Sequence, residues 1–120
     1  MGAWYNKLLP LSQRQETNYA LPYLMALKVL ELGEANDDNL AELAGHLRIA
    51  VYLPCEAQTI DEGRRAIRRL IEQWQDGVEF DPSDVETVGI AIREYHRIAS
   101  NISKQKLQKA IQNVLKGVKK

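Results

Sequence analysis

The sequence DPSDVETVGIAIREYHRIASNI, residues 81–102, carries the clearest helical pattern of this chain. Asp81 offers a side-chain oxygen to the free amides of a helix start, and Pro82 suits the first helical position, where no amide is needed. Apolar side chains then recur at alternating intervals of three and four residues, at Val85, Val88, Ile92, Tyr95, Ala99 and Ile102. This spacing places them on one face, so the segment predicts an α-helix with a buried, heptad-like seam.

The apolar pattern changes phase after residue 102. A second stripe follows at Leu107, Ala110, Ile111, Val114, Leu115 and Val118. The change falls at residues 100–103, where two serines and an asparagine compete with helical hydrogen bonding. We therefore predict a break there and a separate C-terminal helix from about Ser103 to Gly117. One continuous long helix is the alternative.

Upstream, the first helix is predicted between Ser12 and Leu32. Pro22 interrupts this segment, because proline lacks an amide donor and its ring clashes with the preceding turn. Either the helix kinks there, or a second helix begins near Asn18 with Pro22 in its first turn. After the proline the pattern is apolar almost all round, which is typical of a helix that is central in its bundle or covered by a partner.

Two further helices are predicted between these segments. One runs from the cap candidates at residues 36–39 to about Leu53, and the next begins at Thr59 and ends near Gln75. Thr59 and Glu62 match a capping box, in which each side chain satisfies a free amide at the helix start. No stretch alternates as a strand would. The predicted fold class is therefore all-α, a compact bundle of four to five helices without a sheet.

The chain predicts one helical domain over residues 1–120, an ordinary length for a domain. Residues 1–11 form an N-terminal arm, and residues 103–120 form a lysine-rich C-terminal helix and tail. The net charge is zero, but residues 104–120 carry six lysines and no acid, whereas residues 31–42 and 72–86 are acidic blocks without a base. Such blocks can steer charged partners or pair with one another inside the fold.

Composition also predicts the compartment. Cys55 is the single cysteine, so no disulfide can form within the chain, which fits a reducing environment. No apolar run approaches the roughly 20 residues that cross a bilayer, and the N-terminus lacks the apolar core of a secretory signal. We expect a cytoplasmic protein without membrane association.

No familiar catalytic motif is found. His46 and His96 are the only histidines, lie some 50 residues apart on predicted helices, and neither adjoins a serine or cysteine nucleophile in the chain. Cys55 has only Glu56 as a charged neighbour, and an acid raises a thiol pKa rather than activating it. Metal-ligand spacing and a glycine-rich phosphate loop are absent as well. We therefore predict a non-enzymatic protein without a cofactor or metal.

An arginine cluster and the C-terminal lysines make nucleic acid an alternative partner. On a helix Arg65, Arg68 and Arg69 share a face and could hold phosphates. The competing interpretation is an ion-paired, solvated face, since Asp61 and Glu72 stand three or four residues from these arginines. The full set of nucleic-acid candidates is Arg64, Arg65, Arg68, Arg69, Lys104, Lys106 and Lys109.

Aromatic and apolar residues near the N-terminus predict a surface for a protein partner, with a homodimer as one form of it. The interface candidates are Trp4, Tyr5, Leu8, Leu9 and Tyr23. Aromatic side chains are good interface anchors because they bury a large area. The alternative is that the arm packs across its own bundle.

The segments Leu21-Pro22-Tyr23, Leu40-Ala41-Glu42-Leu43-Ala44 and Ile92-Arg93-Glu94-Tyr95 resemble small helical proteins of proteobacterial phages and plasmids. The resemblance spans about residues 18–100 and implies an accessory protein of a mobile element, a kind of protein that binds and modulates a host or element protein. It assigns no functional residue. The predicted function is thus a helical protein-interaction module, with a nucleic-acid-binding accessory protein as the alternative.

Overall fold

The computed structural model describes the backbone from residue 11 to residue 117 and side chains from residue 21 to residue 117. The helices in this range are α1 (Leu11–Glu31), α2 (Asp37–Ala50), α3 (Ala57–Gln75), α4 (Pro82–Ala99) and α5 (Lys104–Gly117). No strand occurs in the part of the chain described. The predicted all-α bundle of four to five helices is confirmed.

Helix α1 continues through Pro22. Of the two alternatives, a second helix starting near Asn18 is therefore wrong, and the proline is accommodated within one helix. Its ring lies on the exposed side. The helix ends at Gly33, whose φ of 77° is a left-handed conformation that glycine adopts without steric cost.

The end of α2 and the start of α3 differ from the predictions because local hydrogen bonds decide these boundaries, whereas the predicted end of α3 near Gln75 is confirmed. Helix α2 stops at Ala50, about three residues early, since the next three amides bond to carbonyls three residues back and form turns. Helix α3 begins two residues early, because the Glu56 carboxylate accepts from the Thr59 amide at 2.6 Å. Thr59 therefore lies in the first turn, and the predicted capping box of Thr59 and Glu62 is wrong.

The predicted start and end of α4 are confirmed. Asp81 caps the helix by accepting from the Ser83 amide at 2.9 Å, and Pro82 occupies the first turn. The helix ends at Ala99, and α5 starts only after the turn at Ser100 to Ser103. A separate C-terminal helix is thus present.

The core lies where α1, α2, α3 and α4 meet. The residues buried there include Tyr23, Leu27, Leu30, Leu40, Leu43, Leu47, Ile60, Ile67, Leu70, Val88, Ile92 and Tyr95. Helices α3 and α4 make the closest pair, and a β-carbon on Gly63 would collide with that of Ala91. Helix α5 lies at the edge against α2, and Ala110 is its one buried residue within the described range.

Candidate functional site

A surface groove of about 600 Å³ opens at the end of the bundle where α1 and α3 finish and α4 begins. We call it the acidic groove. Its lining residues are Leu30, Glu31, Gly33, Ala35, Trp74, Gly77, Val78, Glu79, Phe80, Pro82 and Val85. Gly77 ends α3 with a φ of 71°, as Gly33 ends α1. At each glycine the backbone turns sharply after its helix, and the acidic groove opens between these two turns.

Large apolar side chains stand exposed in and beside the acidic groove. Trp74 is 40% exposed and Val78 is 56% exposed, and Leu32, next to the lining, is 60% exposed. Single exposed apolar residues are common on soluble proteins, but a group around one concavity is typical of a binding surface. An aromatic residue such as Trp74 is the usual anchor of such a surface.

The charged side chains that line the acidic groove in the described part of the chain are acidic, but one of them, Glu31, is already paired with Arg93. Both acidic blocks of the sequence contribute to the lining, through Glu31 and Glu79. The C-terminal ends of α1 and α3 also finish there, and each adds a partial negative charge. The opposite dipole of the α4 start is offset by the Asp81 carboxylate that caps it. A cationic partner segment is the electrostatic complement of this surface.

Two arginines at this end of the bundle already have acid partners. Arg93 donates to Glu31 at 2.7 Å. Arg69 donates through Nε and Nη2 to Asp84, at 2.9 and 2.8 Å, and Asp84 is buried except for 5% of its surface. Asp84 raises the pKa of Arg69 further. Arg69 therefore neutralises a buried carboxylate, and its side chain stays 52% exposed, so its role as a nucleic-acid contact stays a prediction.

The other cationic candidates remain on the surface. Arg64 is half-buried, whereas Arg65 and Arg68 are exposed, as are the three lysines predicted on the C-terminal helix, Lys104, Lys106 and Lys109. Among the residues described, none of Arg64, Arg65 and Arg68 forms an ion pair. The predicted pairing with Asp61 and Glu72 is therefore wrong. Arg64, Arg65 and Arg68 thus have no ion-pair partner among the described residues of the chain.

Of the predicted protein-interface residues, the structure describes only Tyr23. Trp4, Tyr5, Leu8 and Leu9 lie outside the described residues. Tyr23 has no exposed surface and packs in the centre of the bundle. The prediction that it contacts a partner is wrong, because its position in α1 turns its ring toward α2 and α4 rather than toward solvent.

Both histidines, which are far apart in sequence, meet at Tyr23. The Tyr23 ring centroid lies 4.5 Å from that of His46 and 5.8 Å from that of His96. The Tyr23 hydroxyl hydrogen-bonds to His96 Nδ1 at 2.7 Å. His46 hydrogen-bonds through Nδ1 to the Tyr95 hydroxyl at 3.0 Å and through Nε2 to the Glu42 carboxylate at 2.8 Å. Sequence reasoning missed this cluster, since two tyrosines and two histidines at these spacings are not a local motif.

The hydrogen bonds make the cluster a structural one. Burial lowers the pKa of His46, and the Glu42 carboxylate opposes that change without overcoming it. The two tyrosine hydroxyls that the histidines contact belong to fully buried rings. Ser100 Oγ lies 3.4 Å from His96 Nδ1, but that nitrogen already bonds the Tyr23 hydroxyl at a shorter distance. The cluster satisfies polar groups inside the core, as buried groups require.

Cys55 is expected to react slowly with alkylating reagents. Burial, reinforced by Glu94, raises the thiol pKa from 9.0 to about 11, and Arg97 opposes this in part. Because the thiolate is the nucleophile, iodoacetamide at pH 8 should modify the folded protein about a hundredfold more slowly than the unfolded chain. Mass spectrometry with and without denaturant measures both rates. Equal rates would show that the fold does not protect this thiol.

Comparison with known proteins identifies no relative of this chain. No protein-family model matches the chain, and no match is found among curated proteins or solved structures. Within the described residues, no helix has the length and apolar character needed to cross a bilayer, and no group of three potential ligands could hold a metal ion. The similarity to phage and plasmid accessory proteins stays a prediction.

Proposed function

We propose that this chain is a non-enzymatic helical interaction module that binds another protein through the acidic groove. The partner segment carries lysines or arginines around an apolar side chain. In this proposal the chain is a cytoplasmic accessory protein of a mobile element, and its binding modulates a host or element protein. A homodimer is one form that the assembly could take, and light scattering distinguishes it from a monomer.

The observation that carries the proposal is the joint placement of Trp74, Val78 and Leu32 around a negative concavity. The exposed apolar surface supplies affinity, because water is released when it is covered. The surrounding acids supply selection and orientation, because like-charged segments are repelled. None of these three apolar residues belongs to the buried core, and Val78 and Leu32 have more than half of their surface exposed.

A designed peptide pair tests the charge preference. One amphipathic helix carries lysines around a leucine stripe, and its twin carries glutamates at the lysine positions. Binding is followed through the tryptophan emission of a Trp4→Phe variant, in which Trp74 is the remaining tryptophan. The lysine peptide should bind and shift the emission to shorter wavelength, and the glutamate peptide should not. Equal binding of both peptides would contradict the proposed selection by charge.

Removing the Trp74 side chain is expected to weaken peptide binding strongly. Trp74→Ala, measured by anisotropy of the labelled lysine peptide, should lower affinity by about thirtyfold or more, the effect of losing a central anchor of about 2 kcal/mol. Ile90→Ala is the matched control, because Ile90 is 51% exposed on α4 but does not line the groove. The proposal fails if both variants bind the peptide as the parent chain does.

A further inference from the structure

Tyr52 stands in the turn that follows α2, with 47% of its surface exposed. Two small grooves of about 240 and 250 Å³ open on either side of it, and Tyr52 lines both. We call them the paired grooves. A β-carbon on Gly117 would lie 2.9 Å from the Tyr52 hydroxyl, so the ring is held between the end of α2 and the end of α5. The hydroxyl end of an exposed aromatic ring thus lies close to the backbone at the end of α5.

Among the described residues that line the paired grooves, every charged side chain is basic. Arg48 and Arg64 line one groove, and Lys106 and Lys109 line the other. Among the described residues, no carboxylate lines either groove. None of these four cations forms an ion pair in the described part of the chain. The fold thus brings one arginine of the α3 cluster and two C-terminal lysines, distant in sequence, to the same aromatic ring.

We propose that the paired grooves bind single-stranded nucleic acid, with an unpaired base stacked on Tyr52 and the flanking phosphates held by the arginines and lysines. Aromatic rings stack bases of any sequence, and cations beside them hold the backbone. A duplex fits less well, because its bases are already stacked and cannot reach a ring at the mouth of two narrow grooves. An acidic peptide would use the cations but would leave the ring without a stacking partner.

This site is separate from the acidic groove. The two surfaces share no lining residue and carry opposite charge. A chain with both could hold a basic protein segment at one surface and a nucleic acid at the other. Of the arginine cluster, Arg64 belongs to the paired grooves, Arg69 is committed to Asp84, and Arg65 and Arg68 line neither groove. This distinction makes the proposal testable residue by residue.

The test is fluorescence anisotropy of the full chain with a labelled oligothymidylate of about ten nucleotides and with a duplex of the same length. We expect the single strand to bind more tightly and its affinity to fall with rising salt, because counterions are released from the phosphates. Tyr52→Ala should reduce affinity about tenfold, and Tyr52→Phe should retain it, since the ring face does the stacking. Arg48→Gln and Arg64→Gln should each reduce the salt slope by about one.

Arg65→Gln is the matched control, because it removes the same charge from the same helix outside the paired grooves. It should leave both affinity and salt slope close to those of the parent chain. Circular dichroism establishes that each variant is folded. The proposal is overturned by absence of binding at low salt, by a duplex that binds as tightly as the single strand, or by an Arg65→Gln effect as large as that of Arg64→Gln. It is also overturned if Tyr52→Ala binds like the parent.

Discussion

Replacing Gly63 by leucine is expected to abolish the cooperative folding of the bundle, and replacing it by alanine to lower the unfolding free energy by about 1–3 kcal/mol. The β-carbon of either residue would collide with Ala91 Cβ on α4 and would also approach the Leu47 side chain. The Ala91 β-carbon is bonded directly to the backbone of α4 and cannot rotate away, so α3 and α4 must move apart. Thermal and urea unfolding followed by circular dichroism measure the effect.

The same substitution at Gly45 separates packing from helix propensity. Gly45 lies within α2, and a β-carbon there would meet nothing within 4 Å. Gly45→Ala should therefore stabilise the protein by up to about 1 kcal/mol, because alanine loses less backbone entropy in a helix. Combining Gly63→Ala with Ala91→Gly should recover part of the lost stability. If Gly63→Ala behaved as Gly45→Ala does, the close crossing of α3 and α4 would be refuted.

The second large effect is expected at Tyr23, where alanine should lower the unfolding free energy by about 3–5 kcal/mol. That is a large share of the total stability of an ordinary domain, about 5–15 kcal/mol. The ring is fully buried among His46, Tyr95 and His96, so its removal leaves a cavity and takes a hydrogen-bond partner from His96. Chemical denaturation at pH 7 measures the change in midpoint.

Two further variants separate the contribution of the Tyr23 ring from that of its hydroxyl and provide an exposed control on the same helix. Tyr23→Phe keeps the ring and removes only the hydroxyl, so it should lower the unfolding free energy by about 1 kcal/mol, the net contribution of one hydrogen bond. Met25→Ala lies two residues along the same helix with a side chain 46% exposed, and should change stability by no more than about 0.5 kcal/mol. If Tyr23→Ala were as stable as the parent chain, the burial of Tyr23 in the core would be contradicted.

Much of the fold could be predicted because its signals are local. Asp81 and Pro82 mark the start of α4 by satisfying or avoiding free amides within one turn, and Gly33 marks the end of α1 by its left-handed backbone. The break at residues 100–103 follows from side chains that compete for backbone hydrogen bonds. Helix boundaries were predicted wrongly where two residues could serve as the cap. Thr59 was predicted to cap α3, but Glu56 caps it by accepting a hydrogen bond from the Thr59 amide.

The candidate site could be predicted only in part. The acidic blocks were visible in the sequence, and so were the arginines and lysines. Trp74 lies three residues beyond Ile71, which packs partly against the core, but its own ring is 40% exposed, and the sequence does not show this difference. The signal that could have indicated the acidic groove is the combination of Trp74, Val78 and Phe80 with a helix-ending glycine inside an acidic block.

The helices of this protein, the buried stripe of α4 and the opposite charges of its segments follow from the amino-acid sequence, because they depend on residues close together in the chain. Packing between the helices sets which helix ends share a groove, brings Arg69 to Asp84, and places Tyr23 against both histidines. These depend on packing between helices 15 to 73 residues apart, as for Arg69 with Asp84 and Tyr23 with His96. No spacing along the chain encodes such packing, since it is set by which faces close against one another, as Gly63 and Ala91 do where α3 meets α4.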